Sequence, residues 1–236
     1  MIINGVTIED TFAEAFTMRV ARIVITGKTA RWAREAALKL TGFATSVIGC
    51  KCEAGIEREL AAPETPDGRP GVSVLFLTMD KESLPQQLIV RLGQTVLTCP
   101  TTACFDGLPA ALAAAEAAVL AMTNRPGVIL PFPGGVVRSG SKVGSKRYKN
   151  MLATTNEAFS PTLRAIAPSA LPQGVNSVLE IVLDGTDAPS IEAAMRLGIR
   201  AACLGGVRSI SAGNYGGKLG PHHFPLRKIM TASAVA

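Results

Sequence analysis

Two stretches far apart in the chain read almost alike: Ser73–Asp80 is SVLFLTMD and Ser177–Asp184 is SVLEIVLD. Each is an apolar, β-rich run of strand length. Each leads into a helical segment that reaches Arg-Leu-Gly, at Arg91–Gly93 in the first case and Arg196–Gly198 in the second. A strand follows both times, the second ending in ISAGN, Ile210–Asn214. A chain that repeats strand, helix and strand in this way is built from two like units.

The flanking residues complete the units. In the first, Val20–Thr26 is β-rich, and Thr29–Leu40 has helical spacing that puts Ala33, Ala36, Ala37 and Leu40 on one face, with Gly42 as its cap. Thr45–Cys50 reads as a second strand, and Glu53–Gly71 as a long loop with the turn signal Asp67–Gly68. Val72–Met79 is a third strand, Lys81–Leu92 a helix ended by Gly93, and Gln94–Cys99 a fourth strand. The order β-α-β-β-α-β is ferredoxin-like, a small antiparallel sheet with two helices on one face. In the second unit the helix Ala110–Met122 and the strand Val128–Pro131 match the first unit's opening helix and second strand. The expected class is α+β, with two ferredoxin-like (split β-α-β) lobes related by internal duplication, residues 1–109 and 110–236. The second lobe lacks its first strand, because Phe105–Pro109 runs directly into the helix. A sheet short of that strand would carry an unpaired edge.

Composition narrows the function. Over 236 residues, 47% are hydrophobic and 18% charged, a globular balance. The longest apolar stretch, Leu108–Met122, is broken by Glu116 and too short for a bilayer, so no membrane role is expected. The N-terminus carries Glu9, Asp10 and Glu14 and no basic region, so a cytoplasmic protein is expected. The net charge of +6 favours an acidic partner. Aromatic residues are only 5%, too few for base stacking, and Phe76 is the one aromatic on the two repeated strands; nucleic acid is therefore not the expected partner. The five cysteines are expected to be reduced, and neither Cys50 with Cys52 nor Cys99 with Cys104 has a zinc spacing with a matching second pair. His222 and His223 are adjacent and suit neither a metal site nor a nucleophile–histidine arrangement. Gly27-Lys28-Thr29 is not a phosphate loop, since Arg22 stands where that loop needs its first glycine.

The repeat singles out one carboxylate. Phe76 in the first copy corresponds to Glu180 in the second, inside an otherwise apolar strand. A buried carboxylate there is costly, and desolvation would raise its pKa into the range useful for proton transfer. The alternative is that strand alternation turns Glu180 outward to a solvated face. Two glycine-dense basic stretches follow: Pro131–Gly135 with Ser139–Lys146, and Ser211–Gly220. Their glycines allow close backbone approach, and their serines and lysines can hold an anion.

DTFAEAF (Asp10–Phe16), TGFATSVI (Thr41–Ile48), EAGIE (Glu53–Glu57), ETPDGRPGV (Glu64–Val72), PFPGG (Pro131–Gly135), SGSKVGSK (Ser139–Lys146) and SAGNYGGKLG (Ser211–Gly220) together resemble the formylmethanofuran:tetrahydromethanopterin formyltransferases, in order from about Asn4 to Leu226. The version here is more similar to bacterial members, which are subunits of a formyltransferase/hydrolase complex. The resemblance implies an acyltransferase of one-carbon metabolism with two ferredoxin-like lobes. It implies homo-oligomers, usually tetramers, with the cleft at a subunit interface. It implies formylmethanofuran and tetrahydromethanopterin as carrier substrates and no tightly bound cofactor or metal. It assigns catalysis to Glu180 and substrate binding to Pro133, Gly134, Gly135, Ser141, Lys142, Lys146, Asn214 and Lys218. The implied reaction is direct attack of the pterin amine on the formyl carbon. Two departures stand out: Phe159-Ser160 where many members have Tyr-Cys, and several tens of residues missing between Pro109 and Ala110. The second leaves a non-catalytic scaffold paralogue as the alternative function.

Overall fold

Val20, Arg22 and Val24 alternate with Ala21, Ile23 and Ile25, the period of a strand. In the computed structural model, which describes residues 1–15, 17–46, 52–78, 95–105, 108–138, 141–143, 153–218 and 220–232, they lie in a strand at the centre of the first half. The elements are β1 (Ile2–Ile3), β2 (Val6–Ile8), β3 (Phe12–Ala15), β4 (Thr17–Thr26), α1 (Ala30–Ser46), β5 (Cys52–Leu60), β6 (Gly71–Thr78), β7 (Thr95–Phe105), α2 (Leu108–Met122), β8 (Val128–Ile129), β9 (Val137–Arg138), β10 (Ser141–Val143), β11 (Ala153–Thr155), β12 (Ser177–Gly185), α3 (Ala188–Ala202), β13 (Val207–Ser211), β14 (His222–Pro225) and α4 (Leu226–Thr231). They form a mixed helix-and-sheet fold. One main sheet runs β1-β2-β13-β7-β4-β6-β5, with β12 added on β7 and β8 and β9 on β12. Among these pairings only β13 with β2 is parallel.

Among the described residues β7 pairs along both of its edges, where an unpaired edge was expected from a missing strand. One edge of β7 pairs with β12 from Leu97 to Phe105. Its other edge pairs with β4 at Thr95–Leu97 and with β13 at Thr102–Phe105. The first half therefore reads β7-β4-β6-β5, and the second reads β13-β7-β12 with β8 and β9 outermost. β7 stands in both runs. The sequence predicts a strand only to Cys99, whereas β7 continues to Phe105 and thereby reaches the second half.

Helices cover one face of each half. Ala33 and Ala37 of α1 pack on Ala21, Ala54, Val74 and Phe76. Ala111, Ala114 and Ala118 of α2 and Ile191, Met195 and Ile199 of α3 pack with Leu183 and Ile210. Small residues set the spacing: a Cβ on Gly198 would lie 2.6 Å from the Met122 sulfur. Gly198 is thus a point of close helix approach inside α3, and not the end of the helix. Asp187 caps that helix by accepting the Ser190 N–H at 2.8 Å.

Three expectations in the first half change. Helix α1 passes through Gly42 to Ser46, so Gly42 does not end it. Its buried line is Ala33, Ala37 and Thr41, while Ala36 and Leu40 are exposed. Thr45 and Ser46 belong to this helix, and the rest of the expected strand Thr45–Cys50 lies outside the described residues. The second strand is instead Cys52–Leu60, a charged segment that falls largely within the stretch Glu53–Gly71 expected as a loop from its turn signal. Those charges are paired. Glu57, 3% exposed, accepts from Arg22 Nε and Nη2 (2.8 and 2.8 Å), from the Ser73 hydroxyl (2.6 Å) and from the Gly127 N–H (2.7 Å). A carboxylate can sit in a sheet interior when four donors replace its water. Gly127 follows α2, so Glu57 also ties the halves together. The helix expected at Lys81–Leu92 lies outside the described residues.

Candidate active site

Leu179, Ile181 and Leu183 of β12 point toward α2 and α3. By strand alternation Glu180 points to the other face. That face is not solvated there: Glu180 is 5% exposed, and the neighbouring Val178 packs with Leu171 and Val175. The outward-turned alternative is thereby overturned. One carboxylate oxygen of Glu180, Oε2, is buried without a hydrogen-bond partner among the described residues. Burial pushes its pKa up to about 7. A carboxyl that changes protonation near neutrality can take and return a proton at physiological pH.

The register sets the neighbours of Glu180 across the sheet. Val137 of β9 lies opposite Glu180 on one side and Thr102 of β7 on the other, and Ser211 of β13 lies opposite Thr102. Paired residues share a face, so Val137, Glu180 and Ser211 stand in one row. Two strand spacings, about 10 Å, separate Glu180 from Ser211. Val137 stands two residues after Gly135, the end of the Pro131–Gly135 stretch, and Ser211 opens the Ser211–Gly220 loop. The two glycine-dense stretches thus approach Glu180 from opposite sides.

Their glycines are used in specific ways. Gly134 and Gly135 have φ of 69° and 72°, and the Gly135 N–H donates to the Phe132 carbonyl at 2.8 Å. A Cβ on Gly135 would meet the Val119 side chain at 2.8 Å. The turn ends in β9, so Gly135→Ala is expected to cost about 1–3 kcal/mol in a denaturant titration. Gly134 is exposed and borders a groove of about 400 Å³ between α1, β5 and this turn, with Arg34, Leu38 and Phe132 on its walls. Pro133 begins the turn. Ser141 and Lys142 lie in the β10–β11 hairpin, opposite Thr155 and Thr154, and not in the main sheet. Lys146 lies outside the described residues.

In the second loop Asn214 Oδ1 accepts the Gly216 N–H at 3.2 Å, so part of Asn214's polar capacity shapes its own turn. Gly216 and Gly217 have φ of 68° and 77°. Lys218 is exposed and makes no ion pair among the described residues. Sequence reasoning missed Glu14, which is fully buried and accepts the Gly217 N–H. The missed signal is an acidic residue among Phe12, Ala13 and Ala15. No group of three or more His, Cys, Asp or Glu among the described residues is placed to hold a metal ion. Cys203 is a buried free thiol whose pKa burial raises. No helix of the described residues is long and apolar enough to cross a membrane.

Comparison with known proteins places this arrangement. Residues 1–127 match the family model described as formylmethanofuran-tetrahydromethanopterin formyltransferase, and residues 101–229 match that of its proximal lobe. The matches overlap over 101–127, which holds the end of β7 and all of α2. The formylmethanofuran–tetrahydromethanopterin formyltransferase of Methylobacillus flagellatus is 49% identical over 302 residues, covering 98% of this chain and 100% of the relative. That of Methanosarcina barkeri is 44% identical over 97% of this chain and 100% of its own length. This chain has 236 residues, so the alignment over 302 passes a stretch of the relative with no counterpart here. The solved structure from Methanosarcina barkeri superposes with a TM-score of 0.85 at 40% identity, covering 97% of this chain and 100% of that one. The formyltransferase/hydrolase complex from Methylorubrum extorquens, solved with methylofuran, superposes with a TM-score of 0.86 at 36% identity, covering 99% of both chains.

Proposed function

Because this chain belongs to the formylmethanofuran–tetrahydromethanopterin formyltransferase family, we propose that it transfers a formyl group between these two carriers, with Glu180 moving the proton. The observation that carries this reading is the buried Oε2 of Glu180, without a partner among the described residues, in the sheet row between the two glycine-dense segments. The secondary amine of the pterin carrier attacks the formyl carbon. The carbonyl π pair moves to oxygen, giving a tetrahedral oxyanion. Glu180 takes the proton from the attacking nitrogen and returns it to the methanofuran nitrogen. The oxyanion collapses, the C–N bond to methanofuran breaks, and the free amine leaves. Backbone N–H groups of the glycine turns supply donors for the oxyanion. Holding two carriers in contact contributes much of the remaining acceleration.

Lys142, Lys146 and Lys218 bind the acidic tails of the carriers in this reading, with Pro133, Gly134, Gly135, Ser141 and Asn214 shaping the cleft. The net charge of +6 supports it. The architecture in this proposal is two split β-α-β lobes that use β7 in common, a reading the pairing of β7 with β4, β12 and β13 supports. The alternative of a non-catalytic scaffold drew its support from a missing strand. The pairing of β7 favours the catalytic reading. A homotetramer working with other subunits of a formyltransferase/hydrolase complex belongs to the proposal, and the likeness to a subunit of such a complex supports the second part. So does a cytoplasmic location, which suits the buried free thiol of Cys203.

Purified chain given formylmethanofuran and tetrahydromethanopterin is expected to form formyl-tetrahydromethanopterin; no turnover at any subunit concentration rejects the catalytic reading in favour of the scaffold. As a base Glu180 must be ionised, so kcat is expected to fall with decreasing pH below about 7, by about tenfold per pH unit. A flat profile from pH 5 to about 8 removes Glu180 from the proton transfer.

A further inference from the structure

The Ser211–Gly220 loop is held at two points, near its start and at its tip, by a short segment, Thr11–Glu14, from the other end of the chain. Near its start the Ala212 N–H donates to the Thr11 hydroxyl at 3.0 Å. At its tip the Gly217 N–H donates to Oε1 of Glu14. Thr11 immediately precedes β3 and Glu14 lies within it. β3 is itself fixed by antiparallel pairing with β14, where His223 lies opposite Glu14. The Leu226 N–H donates to the Thr11 carbonyl at 3.0 Å, so the base of the clasp is closed by backbone.

The chemistry of the upper bond is specific. Glu14 is fully buried, and a carboxylate kept out of water is stabilised only by donors aimed at it. Gly217 supplies one of them because its φ of 77° turns the N–H inward, a conformation a side chain would oppose. A Cβ there would stand 3.9 Å from His223, so the turn rests on the ring edge of the residue paired with Glu14. His223 in turn packs against Phe12 with centroids 5.0 Å apart. The next residue after this held glycine is Lys218, an exposed cation.

We propose that Glu14 is a positioning residue for carrier binding: with Thr11 it clasps the glycine loop so that Lys218 is presented as a fixed cation to the acidic tail of a carrier. This rests on the formyl-transfer reading above. Glu14 does not touch the reacting atoms, so its effect falls on binding and not on the proton-transfer step. Freeing the loop makes Lys218 mobile, and a mobile cation loses ordering entropy on every binding event.

Two readouts test it on the full chain. Glu14→Ala is expected to speed tryptic cleavage after Lys218 by about tenfold or more in the native protein, as expected for local opening of a clasped segment. The same variant is expected to raise KM for one carrier about tenfold with kcat within about twofold of wild type. Glu14→Gln keeps an acceptor oxygen and is expected to restore both. Where Glu14→Ala fails to fold, Thr11→Val carries the test, since it removes only the lower acceptor and is expected to move both readouts in the same direction. Unchanged cleavage at Lys218 overturns the clasp. Faster cleavage with both KM values unchanged, or a fall in kcat alone, overturns the positioning role. If wild type transfers no formyl group, the formyl-transfer reading fails, and the KM part fails with it; the cleavage readout still decides the clasp.

Discussion

Glu180→Gln is expected to lower kcat by about 10²–10⁴, the range lost with a general acid–base group, while leaving KM for both carriers little changed. The same substitution is expected to stabilise the protein at alkaline pH. Burial raises the Glu180 pKa to about 7, above its value in the unfolded chain, so the folded state binds the proton more tightly. The sign follows from that difference. Below the unfolded value of about 4.5 both states are protonated and the group costs nothing. Between that value and about 7 the unfolded state ionises first, so stability falls as pH rises. Above about 7 the penalty is complete, on the order of 3 kcal/mol. Glutamine cannot ionise and escapes it. Thermal unfolding of Glu180→Gln should match wild type near pH 5 and exceed it near pH 8, roughly the two ends of that window. A less active protein that is more stable only at the higher pH is the signature of a carboxylate held for chemistry. Near-normal turnover would exclude Glu180 from the mechanism, and equal melting at both pH values would mean that it is not desolvated in solution.

The largest stability loss is expected at Glu57. Removing its carboxylate in Glu57→Ala leaves the buried Ser73 hydroxyl and the Gly127 N–H without their acceptor. The Arg22 side chain is 42% exposed, so its charge attraction is screened and contributes the smaller part. The expected cost is about 3–5 kcal/mol, the range for breaking a buried ionic network from one side, read from a urea titration. The pH dependence has the opposite sign to that of Glu180. Burial pushes the Glu57 carboxyl up, but hydrogen bonds from Arg22, Ser73 and Gly127 together outweigh it and hold the group below its ordinary value. Its stabilisation is therefore present above about pH 4.5 and is lost as pH falls through the lower, folded value. Glu57→Gln should flatten the acid side of the stability profile. An unchanged acid limb with an unchanged midpoint would show that the clasp between β5 and the turn after α2 contributes nothing.

How much of this was legible differs by residue. The strands β6 (Gly71–Thr78) and β12 (Ser177–Gly185), and the helix from Ala110 to Met122, announce themselves by apolar runs whose periods survive any tertiary setting. Glu180 was legible for the same reason: a carboxylate stands out only against an apolar strand, and the repeat supplied Phe76 as its reference. Cys52–Leu60 was not, because the turn signal Asp67–Gly68 read as a loop back to Glu53, and the charges within the strand are accommodated only by partners such as Arg22, Ser73 and Gly127 around Glu57. Gly42 and Gly198 look like helix ends and lie inside helices.

The sequence by itself determined the strands β4, β6 and β12, the helices α1, α2 and α3, and which carboxylate breaks the apolar pattern. These are local properties, set by side-chain period and by the cost of a charge in an apolar run. Only the tertiary structure decided that β7 serves both halves, that Glu180 faces a covered side of the sheet, and that Thr11 and Glu14 hold a loop near the other end of the chain. Hydrogen-bond pairing, burial and long-range acceptors depend on which residues meet in space, and no spacing along the chain encodes that.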